Sequence, residues 1–184
     1  MDTSSLRHAQ DNAPLKPPAS LALDSLGVEH RLFTHGTAVS SFEEAASARS
    51  QRPEQVVRSI LFQVRTGEFV MVLIAGPAQV NWKKLRDLVK RSRIRMATKE
   101  EVLEVTGYRV GTVSPFGAAS QARPEFDRRV KVLIDASVLK EEEISIGSGV
   151  RNTAIILKSA DLRRALKGAE VVLLADDSAE MRRS

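Results

Sequence analysis

The chain has 184 residues, with 28 Lys+Arg against 23 Asp+Glu and a formal net charge of +5. That length suits one domain with loose ends, and 42% hydrophobic residues suffice for one core, which must be aliphatic because aromatics make up only 4%. The lack of cysteine excludes disulfides, thiolate catalysis, zinc fingers and iron–sulfur clusters, and the runs ILFQV and FVMVLIA are too short to span a bilayer.

Residues 1–20 carry Pro14, Pro17 and Pro18 among polar side chains and read as a disordered tail. Residues 177–184 are polar and read as a frayed end, which leaves 21–176 as a single domain without internal repeats. Leu21–Leu26 is predicted to be a short helix closed by Gly27. Val28–His35 fits a first strand, with Val28, Leu32 and Phe33 available for burial. The Ser41-x-x-Glu44 spacing is that of a capping box, so a helix is predicted from there to about Arg49. Val56–Val64 and Glu68–Ala75 are apolar strands around a Thr66-Gly67 turn, hence a hairpin, and Gly76-Pro77 ends it.

Asn81 is placed to cap a helix whose inward face is Trp82, Leu85, Leu88 and Val89. Arg93–Met96 is a short strand. Thr98 and Glu101 form a second capping box, opening a helix that buries Val102, Leu103 and Val105 and closes at Gly107. A Gly/Pro-rich loop, YRVGTVSPFGAASQARPEF, follows. Val130–Asp135, Ile144–Ile146 and Ala154–Leu157 are strands; Ser159 is expected to cap a last helix with Leu162, Ala165 and Leu166 inside, and Val171–Leu174 ends the sheet. The irregular interleaving predicts an α+β fold with a mixed, mostly antiparallel sheet and flanking helices.

Histidine chemistry is thinly supplied. His8 falls in the tail, and His30 and His35 lie five apart on one predicted strand, pointing to opposite faces. A histidine-based triad or a two-histidine metal site therefore lacks support, and no metal and no cofactor are expected. The start of the chain lacks the charged-then-apolar pattern of a secretory signal, so a cytoplasmic location is expected.

Four features bear on function. Gly111-Thr112-Val113-Ser114-Pro115 fixes an unusual backbone path, either to present N–H groups to a carbonyl or phosphate oxygen or simply as a tight connection. Gly147-Ser148-Gly149-Val150-Arg151-Asn152 permits close backbone approach to a ligand, or serves as a hairpin turn; it lacks the Lys-Ser/Thr ending of a triphosphate loop. Lys83, Lys84, Arg86, Lys90, Arg91, Arg93 and Arg95 fall within thirteen residues, with Asp87 the only acid among them. Such a cluster is the footprint of a phosphate backbone, where a balanced pattern would be an ordinary solvated helix face. Arg58 stands in the aliphatic strand VVRSILF and either lines a pocket or faces solvent.

The segments VVRSILF, FVMVLIAGPAQVNWKKL, ATKEEVLEVTGYRVGTVSPFG, VLIDASVL, EISIGSGVRNTAIIL and SADL, in this order between about residues 28 and 167, resemble the YbaK/ProX family of aminoacyl-tRNA editing domains. That family includes the insertion domain of bacterial prolyl-tRNA synthetases. Most specific is Thr106-Gly107-Tyr108 followed by Gly111-x-x-x-Pro115-Phe116-Gly117.

The resemblance implies a trans-acting deacylase that hydrolyses the ester of a mischarged tRNA without a metal. In the family the Gly-x-x-x-Pro loop holds the ester carbonyl through its backbone, worth ~2.7–4 kcal/mol per well-placed donor. Attack then comes from a positioned water or from groups of the substrate itself. By this likeness Gly111 and Pro115 hold the ester, and a pocket between Arg58, that loop and Ser148-Gly149 completes the catalytic positions, with Arg151 and Asn152 binding substrate; His35, just past the first strand, either lines the same pocket as a substrate-binding residue or is a satisfied surface histidine. Lys83, Lys84, Arg86, Lys90, Arg91 and Arg93 would hold tRNA phosphates. The implied partners are aminoacyl-tRNA and an aminoacyl-tRNA synthetase, with no membrane, for a monomer or weak dimer.

The chain also departs from the family. Arg58 replaces a common lysine; arginine keeps the charge and can fork onto a carboxylate or phosphate, but it cannot act as a base near neutral pH. The second glycine loop keeps Arg151 but has Val150 in place of a lysine, and Ala154 stands near a usual acidic position. A catalytically weakened or inactive tRNA-binding or regulatory module of the same fold is therefore the alternative. A domain for another acyl ester or nucleotide is a third reading.

Overall fold

The computed structural model describes residues 16–36, 41–117 and 130–176. Expectations for the tail before residue 16, His8 included, for residues 177–184 and for the loop beyond residue 117 lie outside the described residues.

Among the described residues the helices are α1 (Pro18–Ser25), α2 (Phe42–Ala48), α3 (Trp82–Val89), α4 (Lys99–Thr106) and α5 (Ser159–Ala165). The strands are β1 (Arg31–Thr34), β2 (Val57–Arg65), β3 (Glu68–Ala75), β4 (Arg95–Met96), β5 (Val130–Asp135), β6 (Glu143–Gly147), β7 (Thr153–Lys158) and β8 (Glu170–Val172). Short 3-10 turns at Pro53–Gln55 and Ala136–Leu139 were not predicted.

The strands form two sheets rather than one: a five-stranded sheet ordered β4-β2-β3-β5-β8 and a three-stranded sheet ordered β1-β7-β6. The pairs β2–β3, β2–β4, β1–β7 and β6–β7 are antiparallel, whereas β3–β5 and β5–β8 are parallel. A single parallel bridge, Val56 to Ser145, joins the sheets where β2 begins. The fold is α+β with mostly antiparallel pairing, as expected.

The large sheet is buried on both faces, which explains why β3 reads as a continuous apolar run instead of an alternation. Val57, Leu61, Met71 and Leu73 face a main core that includes Leu23, Val102, Ile144, Ile155 and Leu162. Phe62, Val70, Val72 and Ile74 face a second, smaller cluster closed by Leu85 and Leu174. Helix α3 thus packs on the face turned away from the main core.

The caps predicted at Ser41, Asn81 and Thr98 form. Ser41 Oγ accepts from Glu44 N at 3.1 Å, Asn81 Oδ1 from Lys84 N at 2.9 Å, and Thr98 Oγ1 from Glu101 N at 3.2 Å. Other details are corrected. Helix α1 begins at Pro18, whose ring is preset for a first helical turn, and Ala19 and Ser20 are buried, so the folded domain starts before the predicted boundary at residue 21. Leu32 is exposed because β1 is an edge strand paired only to β7. Trp82 stays 40% exposed, setting its ring edge-on to Phe62 at 5.3 Å, and Leu103 is exposed while Thr106 takes the buried position on α4. Ser159 is the first helical residue of α5, not its cap; its hydroxyl donates instead to the Glu141 carbonyl at 2.6 Å. The last strand ends at Val172, and Leu173 is exposed.

Candidate active site

A cleft of about 450 Å³ opens where β2 starts, beside the bridge between the two sheets. Each wall comes from a different element. β2 supplies Val57, Arg58 and Ser59, β6 supplies Ser145 and Gly147, and β7 with its preceding turn supplies Asn152, Thr153 and Ala154. His35 enters from the end of β1, Ser41, Ala45 and Arg49 from α2, and Val110, Gly111 and Val113 from the glycine loop.

The two glycine motifs meet, but not as two jaws of one pocket. A Cβ on Gly147 would stand 2.3 Å from the Val113 carbonyl oxygen and 2.7 Å from that of Thr112. A Cβ on Gly149 would stand 2.4 Å from the Tyr108 ring, and Gly149 N donates to the Thr112 carbonyl at 2.9 Å. The second loop therefore backs the first: its glycines let the 108–113 backbone lie flush against the end of β6. From the other side, Tyr108 Oη donates to the Phe116 carbonyl at 2.7 Å and closes the loop on itself. Burial pushes the Tyr108 pKa up, so the phenol stays a neutral donor.

Four residues expected at the site do not line the cleft. Pro115 is buried and does not line the cleft. Ser148 is fully buried, and its hydroxyl is spent on Thr153 Oγ1 at 2.5 Å and on the Val150 backbone. Gly149 is occupied with Tyr108, as described. Arg151 is exposed and also absent from the cleft wall. Gly111, Arg58, His35 and Asn152 do line it. Gly111 sits at φ +90° with open space around it, and among the described residues its N–H has no acceptor. Asn152, at φ +58°, uses its carbonyl to accept from His35 N at 2.8 Å.

Arg49 was not anticipated. Its guanidinium donates to His35 Nε2 at 3.0 Å and to Gln51 Oε1 at 3.2 Å. Arginine has only donors, so Nε2 must carry the lone pair and the imidazole is neutral with its proton on Nδ1. Burial first, and the Arg49 charge second, draw the His35 pKa below its ordinary value. Arg58 is half-buried and donates to the Ala78 carbonyl, on the segment leading into α3. Burial lowers its pKa while the Glu43 carboxylate opposes that, and both arginines remain cations. No carboxylate lines the cleft among the described residues, so the wall is apolar with two cations and several hydroxyls.

The basic cluster lies elsewhere. Lys83, Lys84, Lys90, Arg91 and Arg93 are exposed and Arg86 is half-buried, on α3 and the turn after it; none of the six lines the cleft. Lys83 is ion-paired to Asp87 at 3.0 Å, and Arg95 forks onto Glu101 at 2.6 and 2.7 Å. That fork, with the Thr98 N–H, pulls the Glu101 pKa down to about 2.

Known proteins share the fold and much of the sequence. The family model of the aminoacyl-tRNA editing domain matches residues 37–165. The proline–tRNA ligase of Bacillus velezensis is 36% identical over 98 residues, covering 53% of this chain but 17% of the ligase. The chain thus spans about a sixth of the length of that relative. The uncharacterized protein YwhH of Bacillus subtilis is 30% identical over 126 residues, covering 68% of this chain and 74% of that protein. A crystal structure of "a putative trans-editing enzyme for prolyl tRNA synthetase" superposes with a TM-score of 0.75 at 26% identity, covering 89% of this chain and 99% of that one. The matched region takes in both glycine loops, the start of β2 and all of the cleft wall except His35, and the chain belongs to the aminoacyl-tRNA editing domain family.

Proposed function

We propose that the protein is a trans-acting aminoacyl-tRNA deacylase. The observation that carries the reading is the cleft itself: a braced backbone loop with the open Gly111 N–H on one side and cationic side chains on the other, in a chain of the editing family. In this reading the aminoacyl ester enters with its carbonyl oxygen toward the Gly111 N–H. Water adds to the carbonyl carbon, the N–H steadies the oxyanion, and the bond to the ribose oxygen breaks. That oxygen takes up a proton, releasing the free amino acid and the tRNA.

Among the described residues the cleft wall holds no free base for this step. The His35 Nε2 lone pair is already engaged by Arg49, and an arginine cannot deprotonate water near neutral pH. Proton transfer then falls to a second water or to the α-amine or vicinal hydroxyl of the substrate, with the cleft acting by positioning and by preorganised dipoles. Arg58 and Arg49 fit the phosphate of the terminal nucleotide, and the α3 cations fit the acceptor stem. Any synthetase partner would deliver the mischarged tRNA.

A second reading, a tRNA-binding module without turnover, is favoured by Arg58 in place of the family's lysine and by its tie to the Ala78 carbonyl. A panel of mischarged tRNAs separates the two. Deacylation by the wild type is the expected result, slowed by Gly111→Ala, which keeps the N–H but strains the positive-φ backbone that aims it, and weakened by Arg58→Ala. Intact esters at stoichiometric protein, with tRNA still bound, would leave only the binding module.

A further inference from the structure

Two hydroxyls in the cleft wall have nothing to bond. Ser145 Oγ and Ser59 Oγ are buried, both residues line the cleft, and neither oxygen has a hydrogen-bond partner among the described residues. Ser145 is 1% exposed. Burying an unpaired hydroxyl costs free energy, so two of them in one cleft mark a place where a ligand completes the bonding.

The surroundings narrow that ligand. Ser145 sits on β6 at the bridge between the sheets and is almost wholly buried, while the ribose of a charged tRNA must stay toward the outside, where its chain continues. What reaches Ser145 is therefore the far end of the acyl group. Arg49 and Arg58 line the same cleft, and with only the Glu43 carboxylate acting on Arg58 the two cations disfavour a further ammonium on the acyl side chain. Val57 and Ala154 leave room for a short side chain with apolar flanks. A neutral hydroxyl both donates and accepts, and so suits hydroxyl partners better than a methyl group does.

We infer that Ser145 and Ser59 are specificity-determining residues and that the esterified amino acid is a small hydroxy amino acid, serine or threonine, in preference to alanine. The inference rests on the reading of the cleft as an aminoacyl site, but not on turnover.

The test is calorimetric binding of the full chain to the non-hydrolysable seryl, threonyl and alanyl amides of 3′-amino-3′-deoxyadenosine. The seryl or threonyl amide should bind at least about tenfold tighter than the alanyl amide. In Ser145→Ala and Ser59→Ala that ratio should collapse toward one. Both variants should also melt at or above the wild-type temperature, because each removes an unpaired buried hydroxyl; a lower melting temperature would make the serines structural and overturn the inference. Equal or tighter binding of the alanyl amide by the wild type would overturn it too, as would no binding of any amide. Discriminating binding without ester hydrolysis would uphold the inference while removing the deacylase.

Discussion

Nε2 of His35 accepts a hydrogen bond from the Arg49 guanidinium at 3.0 Å, joining the end of β1 to the end of α2 in the cleft wall. The contact fixes the imidazole as a neutral ring with its proton on Nδ1, and burial reinforces that state. Because folding lowers this pKa, the native protein binds fewer protons at His35 than the unfolded chain does just below the ordinary value of 6.5. Its stability contribution is full above that value and is lost as the pH falls through the lower folded value. In an NMR titration the His35 ring should titrate below 6.5, and Arg49→Ala should move it upward. A wild-type midpoint at or above the ordinary value would contradict the assignment.

The glycines of the two loops should separate in their effects. Gly147→Ala drives a methyl group into two backbone carbonyls that cannot swing aside, so it should cost about 2–3 kcal/mol and lower Tm by roughly 4–12 °C. Gly111→Ala meets open space and pays only for its positive φ, about 1–2 kcal/mol. Thermal melts of the two proteins, set beside deacylation rates at a temperature where both are folded, test this. Gly147→Ala should be the less stable and Gly111→Ala the slower.

Asp135 stands at 2% exposure at the end of β5, where burial alone would raise its pKa. Hydrogen bonds from Ser137 N at 2.9 Å, Leu174 N at 2.6 Å and Ala175 N at 2.9 Å outweigh that burial and hold the carboxylate below its usual range. The stabilisation is present above the unfolded carboxylate value and is lost as the pH falls through the lower folded one. Asp135→Asn turns an acceptor into a partial donor facing N–H groups and should cost on the order of 3 kcal/mol near neutral pH. Urea melts across the acid range should show a shallower decline for the variant than for the wild type; parallel curves would assign the acid sensitivity elsewhere.

What was legible in the sequence was mostly local. Ser41, Asn81 and Thr98 announce helix starts because a cap and its backbone partner lie within three residues. Thr66-Gly67 announces the hairpin for the same reason. The division into two sheets was not legible, since β1 pairs with β7 across more than a hundred residues and local pattern carries no partner identity. The family resemblance found the loops of the site, but not that Gly147 and Gly149 brace the Gly111 loop, which depends on a contact between distant segments. Arg49 was missed because its position at the end of α2 gives no hint that the helix terminus reaches His35. Ser59 and Ser145 carry no signal in the sequence, because a hydroxyl is unpaired only by virtue of what the fold sets around it.

The cations of α3 offer a last test, on the reading that they hold tRNA. Lys83 already has Asp87 at 3.0 Å, whereas the ion pairs among the described residues include none to Lys84, Lys90 or Arg93. Counterion release scales with the number of phosphates neutralised, so the triple variant Lys84→Glu, Lys90→Glu and Arg93→Glu should weaken tRNA binding and flatten the slope of log K against log salt by about 2–3. Lys83→Glu alone should change the slope by less than about 1, since its charge is partly compensated in the free protein. All four positions are exposed, and the substitutions should leave Tm nearly unchanged. Fluorescence anisotropy of a labelled tRNA across a salt series measures the slopes directly, and an unaltered slope in the triple variant would place the RNA on another face of the protein.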